Sequence, residues 1–97
     1  MINKENLNKI FTRVIKRVSS VHKLPSDFAT KEFLSSLSYK EFKQGNFTVV
    51  VASTKNGDVI GVGATKRMPN DPSNFEIGRM IALSRCVEDA LIRGLDL

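Results

Sequence analysis

Two arginines on the last predicted helix, Arg79 and Arg85, are the residues best suited to hold an anion. A guanidinium presents parallel N–H donors, so it can bind a phosphate through paired, charge-assisted hydrogen bonds. Asn70 lies in the loop before that helix, and Lys66 and Arg67 end the strand before the loop. We therefore expect a phosphate-bearing ligand to bind between the loop and the helix.

Residues for catalysis or metal binding are sparse. The chain has one histidine, His22, and one cysteine, Cys86, and they match no nucleophile–base set and no metal-ligand spacing. Gly61 and Gly63 form a G-x-G pair, but the third glycine of a dinucleotide fingerprint is missing and no helix follows directly. We expect a non-enzymatic protein with no metal and no cofactor.

The composition is that of a soluble globular protein, with 41% hydrophobic and 26% charged residues. No apolar run is long enough for a membrane span, and the first residues lack the apolar core of a secretory signal. A lone cysteine allows no internal disulfide. We expect one domain over residues 1–97, a cytoplasmic location and no membrane partner.

The net charge of +5 lies entirely in residues 1–23, which hold six basic residues and one acidic residue. Asn3 is a candidate cap for a helix that runs to about Val18. Its basic residues share the face opposite the apolar stripe, and they are Lys9, Arg13, Lys16 and Arg17. Either this face is only the water-exposed side of a helix that packs on the core, or it contacts nucleic acid or an acidic protein.

The strand, strand and helix of residues 46–94 form the predicted core of the fold. Phe47–Ser53 and Val59–Lys66 are rich in residues that favour strands. Asn56-Gly57 between them predicts a primed hairpin turn, with positive φ at both residues. Gly61 and Gly63 share one face of the second strand, which favours close approach of a packed helix.

The last helix is predicted to begin at a capping box, Ser73 to Glu76, and to run to about Arg93. Gly94 is the predicted left-handed stop. Residues at steps of three and four predict its buried stripe: Ile77, Met80, Ile81, Ser84, Val87 and Leu91. The small residues Gly78, Ala82 and Cys86 lie outside that stripe, and one hypothesis is that they pack on a second copy in a homo-oligomer.

The middle of the chain allows two interpretations. A short helix capped by Asp27 or Thr30 is expected, with Phe28 and Phe33 in the core. Tyr39–Lys43 either extends that helix or forms a strand, and the following Gly-Asn turn favours the strand. The prediction is a two-layer α+β fold with an N-terminal helix, an antiparallel hairpin or three-stranded sheet, and a long C-terminal helix.

One resemblance follows from Gly61–Arg67 and the helix that carries Ala82, Ala90 and Leu91. Over Phe47–Leu91 the chain resembles double-stranded RNA-binding domains. The resemblance implies their fold, with phosphates contacted by basic residues at the positions of Lys66 and Arg67. As an alternative function it implies a nucleic-acid-binding module, to which the basic face of the first helix adds Lys9, Arg13, Lys16 and Arg17.

A second resemblance follows from Ala64–Pro72, Phe75–Arg79 and Ala82–Arg85. These segments are similar to the anti-Thoeris family of small bacteriophage proteins, which sequester nucleotide signals. The resemblance implies that Arg79 and Arg85 hold phosphates and that Phe75 or Phe47 stacks the base. It also implies a counter-defence role inside a bacterial host, through capture of a nucleotide or a block of a host defence protein.

Overall fold

The computed structural model of the chain describes residues 3–67 and 75–96. Three helices and three strands occur in the order α1 Lys4–Ser19, α2 Asp27–Ser35, β1 Ser38–Gln44, β2 Phe47–Ser53, β3 Val59–Lys66 and α3 Phe75–Gly94. The predicted α+β class, the N-terminal helix and the long C-terminal helix are confirmed. The prediction left open a two-stranded hairpin or a three-stranded sheet, and the three-stranded sheet forms.

The sheet is an antiparallel meander in the order β1-β2-β3. The predicted strand around Tyr39–Lys43 is present, and Tyr39 pairs with Ala52 across a turn in which Gly45 has φ +58°. Side chains of a strand alternate between faces. On β2 the buried residues are Thr48, Val50 and Ala52, so this face lies against the helices.

The turn between β2 and β3 differs from the predicted primed turn. Gly57 has φ +88°, but Asn56 does not have a positive φ. The Gly57 N–H donates to the Thr54 carbonyl, and the Thr54 N–H donates to the Asp58 carbonyl, each at 2.9 Å. A longer loop that needs only one glycine therefore replaces the two-residue turn, as in hairpins with a glycine after the tight bend.

Helix α1 matches its prediction. The Asn3 side chain accepts a hydrogen bond from the Asn6 N–H at 2.8 Å, which satisfies one of the free donors of the first turn. One face supplies five buried residues: Ile10, Phe11, Val14, Ile15 and Val18. The rings of Phe11 and Tyr39 lie 6.0 Å apart, so α1 packs over the first strand of the sheet.

Helix α2 corrects two expectations. Its cap is Ser26, whose hydroxyl accepts from the Ala29 N–H at 3.1 Å, rather than Asp27 or Thr30. Thr30 is buried and donates to the Ser26 carbonyl instead. Phe28 was expected in the core, but it is 77% exposed, because the helix turns its Thr30 and Leu34 side inward. Phe33, also expected there, is half-buried and packs against the core.

The buried face of α3 matches the predicted stripe only in its second half, where Val87 and Leu91 are fully buried. Ile77 and Ile81 are 50% and 41% exposed. The fully buried residues are Ala82, Leu83, Cys86, Val87, Ala90 and Leu91. The helix is rotated toward its small residues, because they allow it to approach β3 closely.

Gly61 and Gly63 explain this rotation. A Cβ on Gly61 would lie 2.6 Å from the Ala90 Cβ, and one on Gly63 would collide with the backbone of Ala82 and Cys86. The predicted packing of a helix against the two glycines is confirmed. The hypothesis that Gly78, Ala82 and Cys86 form an interface with a second copy is wrong, because Ala82 and Cys86 are buried against β3 of the same chain.

The ends of α3 were predicted less well. Gly94 is the last helical residue and does not have a positive φ, whereas Asp96 does, at φ 56°. Gly94 serves packing instead, because a Cβ there would meet the ring of Phe33. The capping Ser73 lies outside the described residues. Among residues 3–67 and 75–96, no helix is long and apolar enough to cross a membrane.

Candidate functional site

A groove of about 780 Å³ lies between α1 and α3. Its apolar lining comes from Ile10, Ile77, Met80 and Ile81. Its polar lining holds three arginines, two glutamates and a serine, which are Arg13, Arg17, Arg85, Glu76, Glu88 and Ser84. The two isoleucines of α3 that were expected in the core form part of this surface.

Arg13 and Arg17 stand on the α1 side of the groove. Arg17 donates from Nε to Glu88 Oε1 at 2.8 Å and so ties α1 to α3. The Arg17 side chain is 57% exposed, so this ion pair is open to water and contributes little to stability. Arg13 is exposed, and its guanidinium has no hydrogen-bond or ion-pair partner among residues 3–67 and 75–96. Its guanidinium is therefore available to a ligand.

Arg85 stands on the α3 side. One of its terminal nitrogens, Nη1, donates to the Ala64 carbonyl at 2.7 Å. A guanidinium has five N–H donors, so this bond leaves others for an anion. The bond also fixes the direction of the side chain, which is an advantage for a binding residue because less rotamer entropy is lost on binding.

Arg79, the other predicted phosphate-binding arginine, is held by two carboxylates. Its Nε lies 2.6 Å from Glu41 Oε2, and its Nη1 lies 2.8 Å from Glu76 Oε1. The side chain is 13% exposed. Arg79 thus connects α3 to β1, and a ligand role for it stays a prediction.

Lys66 lies on the other side of the sheet. Its Nζ is 5.6 Å from the centroid of the Phe47 ring, on the face that points away from the helices. Arg67 is exposed, and its backbone N–H donates to the Asn46 carbonyl at 2.8 Å. Lys66 is therefore not brought together with Arg79 and Arg85 in one pocket.

Two predicted ligand residues cannot be placed. Asn70 lies outside the described residues. Phe75 begins α3, but its side chain is also outside them. The proposed role of Phe75 in stacking a base stays a prediction.

The basic residues on the face of α1 also fall into two groups. Arg13 and Arg17 line the groove, whereas Lys9 and Lys16 do not. Lys9 is exposed and stands 3.9 Å from Glu5. The basic residues of α1 belong to the helical layer, whereas Lys66 lies on the outer face of the sheet. A rigid duplex that contacts α1 therefore cannot contact Lys66 at the same time.

The lone cysteine is deep in the fold. Cys86 is fully buried, and its thiol donates weakly to the Gly61 carbonyl at 3.6 Å. Burial, with a further contribution from Asp89, raises the pKa of the thiol from 9.0 to about 12. Since the thiolate is the nucleophilic form, this thiol is inert near neutral pH. Within the described residues no group of acidic, histidine and cysteine side chains is placed to hold a metal ion.

Reasoning from the sequence missed the apolar half of the groove, namely Ile77, Met80 and Ile81. A signal was present: Ala82, Cys86 and Ala90 repeat every four residues and match the glycines of β3. Only one face of the helix can pack on the glycines, so Ile77 and Ile81 are turned away from β3.

Comparison with known proteins adds no relative. The chain matches no family model and no curated protein, and the fold matches no solved structure.

Proposed function

We propose that the protein is a small, basic, non-enzymatic binding protein that sequesters a phosphate-bearing nucleotide in the groove between α1 and α3. The observation that supports this proposal most is that Arg13, Arg17 and Arg85 line one groove with an apolar surface. A nucleotide presents both kinds of chemistry, since its phosphate binds guanidinium groups and its base prefers an apolar contact.

The charges of the groove favour an anion. Glu88 is paired with Arg17, and Glu76 is paired with Arg79. Arg13 and Arg85 remain without a carboxylate partner in the described residues. A phosphate that docks at these two arginines meets positive charge that the protein itself does not neutralise, and Arg17 can turn from Glu88 toward the ligand.

Binding rather than catalysis is the proposed mode of action. The thiol of Cys86 is buried with a pKa near 12, so it is a poor nucleophile. The counter-defence role in a bacterial host, by nucleotide capture or by blocking an acidic host protein, is supported by the similarity of Phe75–Arg79 and Ala82–Arg85 to the anti-Thoeris family. A homo-oligomer is part of the same proposal.

The first experiment is mass spectrometry of the purified protein under native conditions, followed by analysis of the filtrate released by heat. The first spectrum gives the oligomeric state, and the filtrate is expected to hold a nucleotide. Titration calorimetry with linear and cyclic nucleotides then measures affinity directly. A filtrate without nucleotide, together with no heat from any of these compounds, contradicts nucleotide sequestration and leaves the acidic host protein as the candidate.

Two variants test the site. Arg13→Ala removes an unpaired guanidinium from the groove and is expected to weaken nucleotide binding by roughly ten-fold, as the loss of one charge-assisted contact does. Lys31→Ala is the matched control, because Lys31 is exposed on α2 and does not line the groove. Equal affinities of the two variants and the parent protein contradict the assignment of the groove.

A further inference from the structure

The outer face of the sheet carries exposed apolar side chains. The register of the strands places Phe42 opposite Val49, and Val51 opposite Val62, on this face. Phe42 is 54% exposed, Phe47 48% and Val62 45%. Two aromatic rings and a strip of valines thus stand on the side of the sheet that α1 and α3 do not cover.

The two rings are close neighbours. Phe47 precedes Val49 by two residues, so Phe42 and Phe47 are diagonal partners on adjacent strands. Diagonal partners on one face stand about 7–8 Å apart, which is within reach of aromatic and other long side chains. That separation is roughly twice the rise of about 3.4 Å between stacked bases. Each ring can therefore receive its own base from a single strand.

The charge of this face is positive. Lys40 and Lys66 point outward in register with Val51 and Phe47, and the Lys66 ammonium lies 5.6 Å from the centre of the Phe47 ring. None of the outward-facing residues of the three strands carries a carboxylate. The Lys66 ammonium therefore places positive charge beside the surface of the Phe47 ring.

We propose that this outer face is a stacking platform for the unpaired bases of single-stranded nucleic acid. Phe42 and Phe47 stack bases, and Lys66 and Lys40 contact the phosphates. Exposed aromatic rings with lysines beside them are the combination that binds single strands without strict sequence preference. The bases of a duplex are already stacked and paired, so this platform selects unpaired strands.

A second copy of the chain fits the same face less well. Packing two such faces together sets Lys40 and Lys66 of one copy near those of the other, with no carboxylate on either face to pair with them. Like charges brought together in an interface oppose association. A polyanion with flat, apolar bases removes this repulsion and covers the rings at the same time.

The test is fluorescence anisotropy of the full chain with a short labelled oligothymidine at low salt, compared with a labelled duplex. The single strand is expected to bind more tightly. Replacing Phe47 by Leu keeps an apolar side chain on the strand and removes the ring, and we expect a loss of roughly ten-fold in affinity. Phe42→Leu is expected to act in the same direction, and Phe47→Tyr to retain binding.

The matched control is Phe28→Leu. Phe28 is also an exposed phenylalanine, 77% exposed, but it lies on α2 and away from the sheet. It is expected to leave binding of the single strand unchanged. The salt dependence gives an independent readout, because Lys66→Ala is expected to reduce the slope of log affinity against log salt by about 0.7.

Three results of the binding assay overturn the proposal. They are no binding of the single strand at low salt, binding that Phe42→Leu and Phe47→Leu leave unchanged, and equal affinity for the duplex. A dimer that is seen by native mass spectrometry and that the double variant Phe42→Leu/Phe47→Leu separates also overturns it, since a second copy then occupies the face.

Discussion

Arg79 of α3 and Glu41 of β1 form an ion pair inside the fold, with Arg79 Nε 2.6 Å from Glu41 Oε2. The two side chains are only 13% and 17% exposed. Glu41 points toward the helices because it is paired in register with the buried Val50. The ion pair therefore fastens the beginning of α3 to the far strand of the sheet.

Removing one partner of this pair is expected to destabilise the protein strongly. Arg79→Ala leaves the Glu41 carboxylate in a mostly buried position without its main counter-charge, which costs about 3 kcal/mol. The double variant Arg79→Met/Glu41→Leu is expected to lose less stability, because it leaves no unpaired charge in the buried position. Urea denaturation of the single and double variants measures both values.

The control for that series is Lys9→Ala, since Lys9 Nζ stands 3.9 Å from Glu5 Oε1 in an exposed position on α1. Exposed pairs of this kind contribute little, so its urea midpoint is expected to stay close to that of the parent protein. If Arg79→Ala behaves like Lys9→Ala, the pair is not structural, and Arg79 becomes available again for the ligand role that the sequence predicts.

The two glycines of β3 give a second prediction. Gly63→Ala places a Cβ against the backbone of Ala82 and Cys86, where neither strand nor helix can move without loss of packing. Overpacking of this kind costs about 1–3 kcal/mol or more. Thermal unfolding by circular dichroism is expected to show a clearly lower midpoint for this variant.

Gly78→Ala is the matched control for Gly63→Ala. Gly78 lies within α3, and a Cβ there meets only the Thr65 hydroxyl at 3.6 Å, an ordinary contact. Alanine in a helix is favoured over glycine by about 0.5–1 kcal/mol, so this variant is expected to be as stable as the parent or more stable. A destabilised Gly78→Ala would show that the start of α3 is packed differently.

Side chains of α3 cover backbone groups of β3, which gives a third prediction. Asp89 Oδ2 accepts from the Val62 N–H at 2.9 Å, and Arg85 donates to the Ala64 carbonyl. Unpaired groups on an edge strand invite pairing with another chain. Asp89→Ala is expected to cost about 1–3 kcal/mol and to increase aggregation on mild heating, as measured by light scattering.

Arg93→Ala separates this effect from the loss of a surface ion pair. Arg93 binds the other carboxylate oxygen, Asp89 Oδ1, at 3.0 Å, and its side chain is 69% exposed. Its removal leaves the bond from Asp89 to Val62 in place. We expect a stability change of at most about 0.5 kcal/mol and no gain in aggregation. Equal aggregation of the two variants contradicts the protective role of Asp89.

The fold was largely predictable because its strands carry strong local signals. Phe47–Ser53 and Val59–Lys66 were predicted with the bounds that the structure shows, and Asn3 caps α1 as expected. The orientation of α3 was not, because two stripes of apolar residues repeat along it. The choice was right for Val87 and Leu91 and wrong for Ile77 and Ile81, because the glycines of β3 require the small residues of α3 opposite them.

The candidate site was predictable only in part, for a related reason. Arg85 and Arg13 were selected by chemistry, but they belonged to two separate hypotheses. Their shared groove depends on how α1 packs beside α3, which is a long-range relationship that no local pattern records. The tie of Arg79 to Glu41 is equally invisible, because the two residues meet only after the sheet has formed.

The buried thiol gives the last prediction, which concerns pH. The pKa of Cys86 is raised from 9.0 to about 12, mainly by burial. Above pH 9 the unfolded chain loses the thiol proton while the folded chain keeps it, so stability is full below pH 9 and falls as pH rises toward 12. Between pH 8 and pH 10 this loss is about 1 kcal/mol.

Urea denaturation at pH 8 and pH 10 measures this dependence, and Cys86→Ser is the control because a hydroxyl does not titrate in that range. Between the two pH values the parent protein is expected to lose more stability than Cys86→Ser. This comparison does not depend on how stable each protein is at pH 8. A thiol reagent at pH 8 is expected to label the folded protein slowly and the unfolded protein at once. Rapid labelling of the folded protein, or equal pH dependence of the two proteins, contradicts a thiol sealed between α3 and β3.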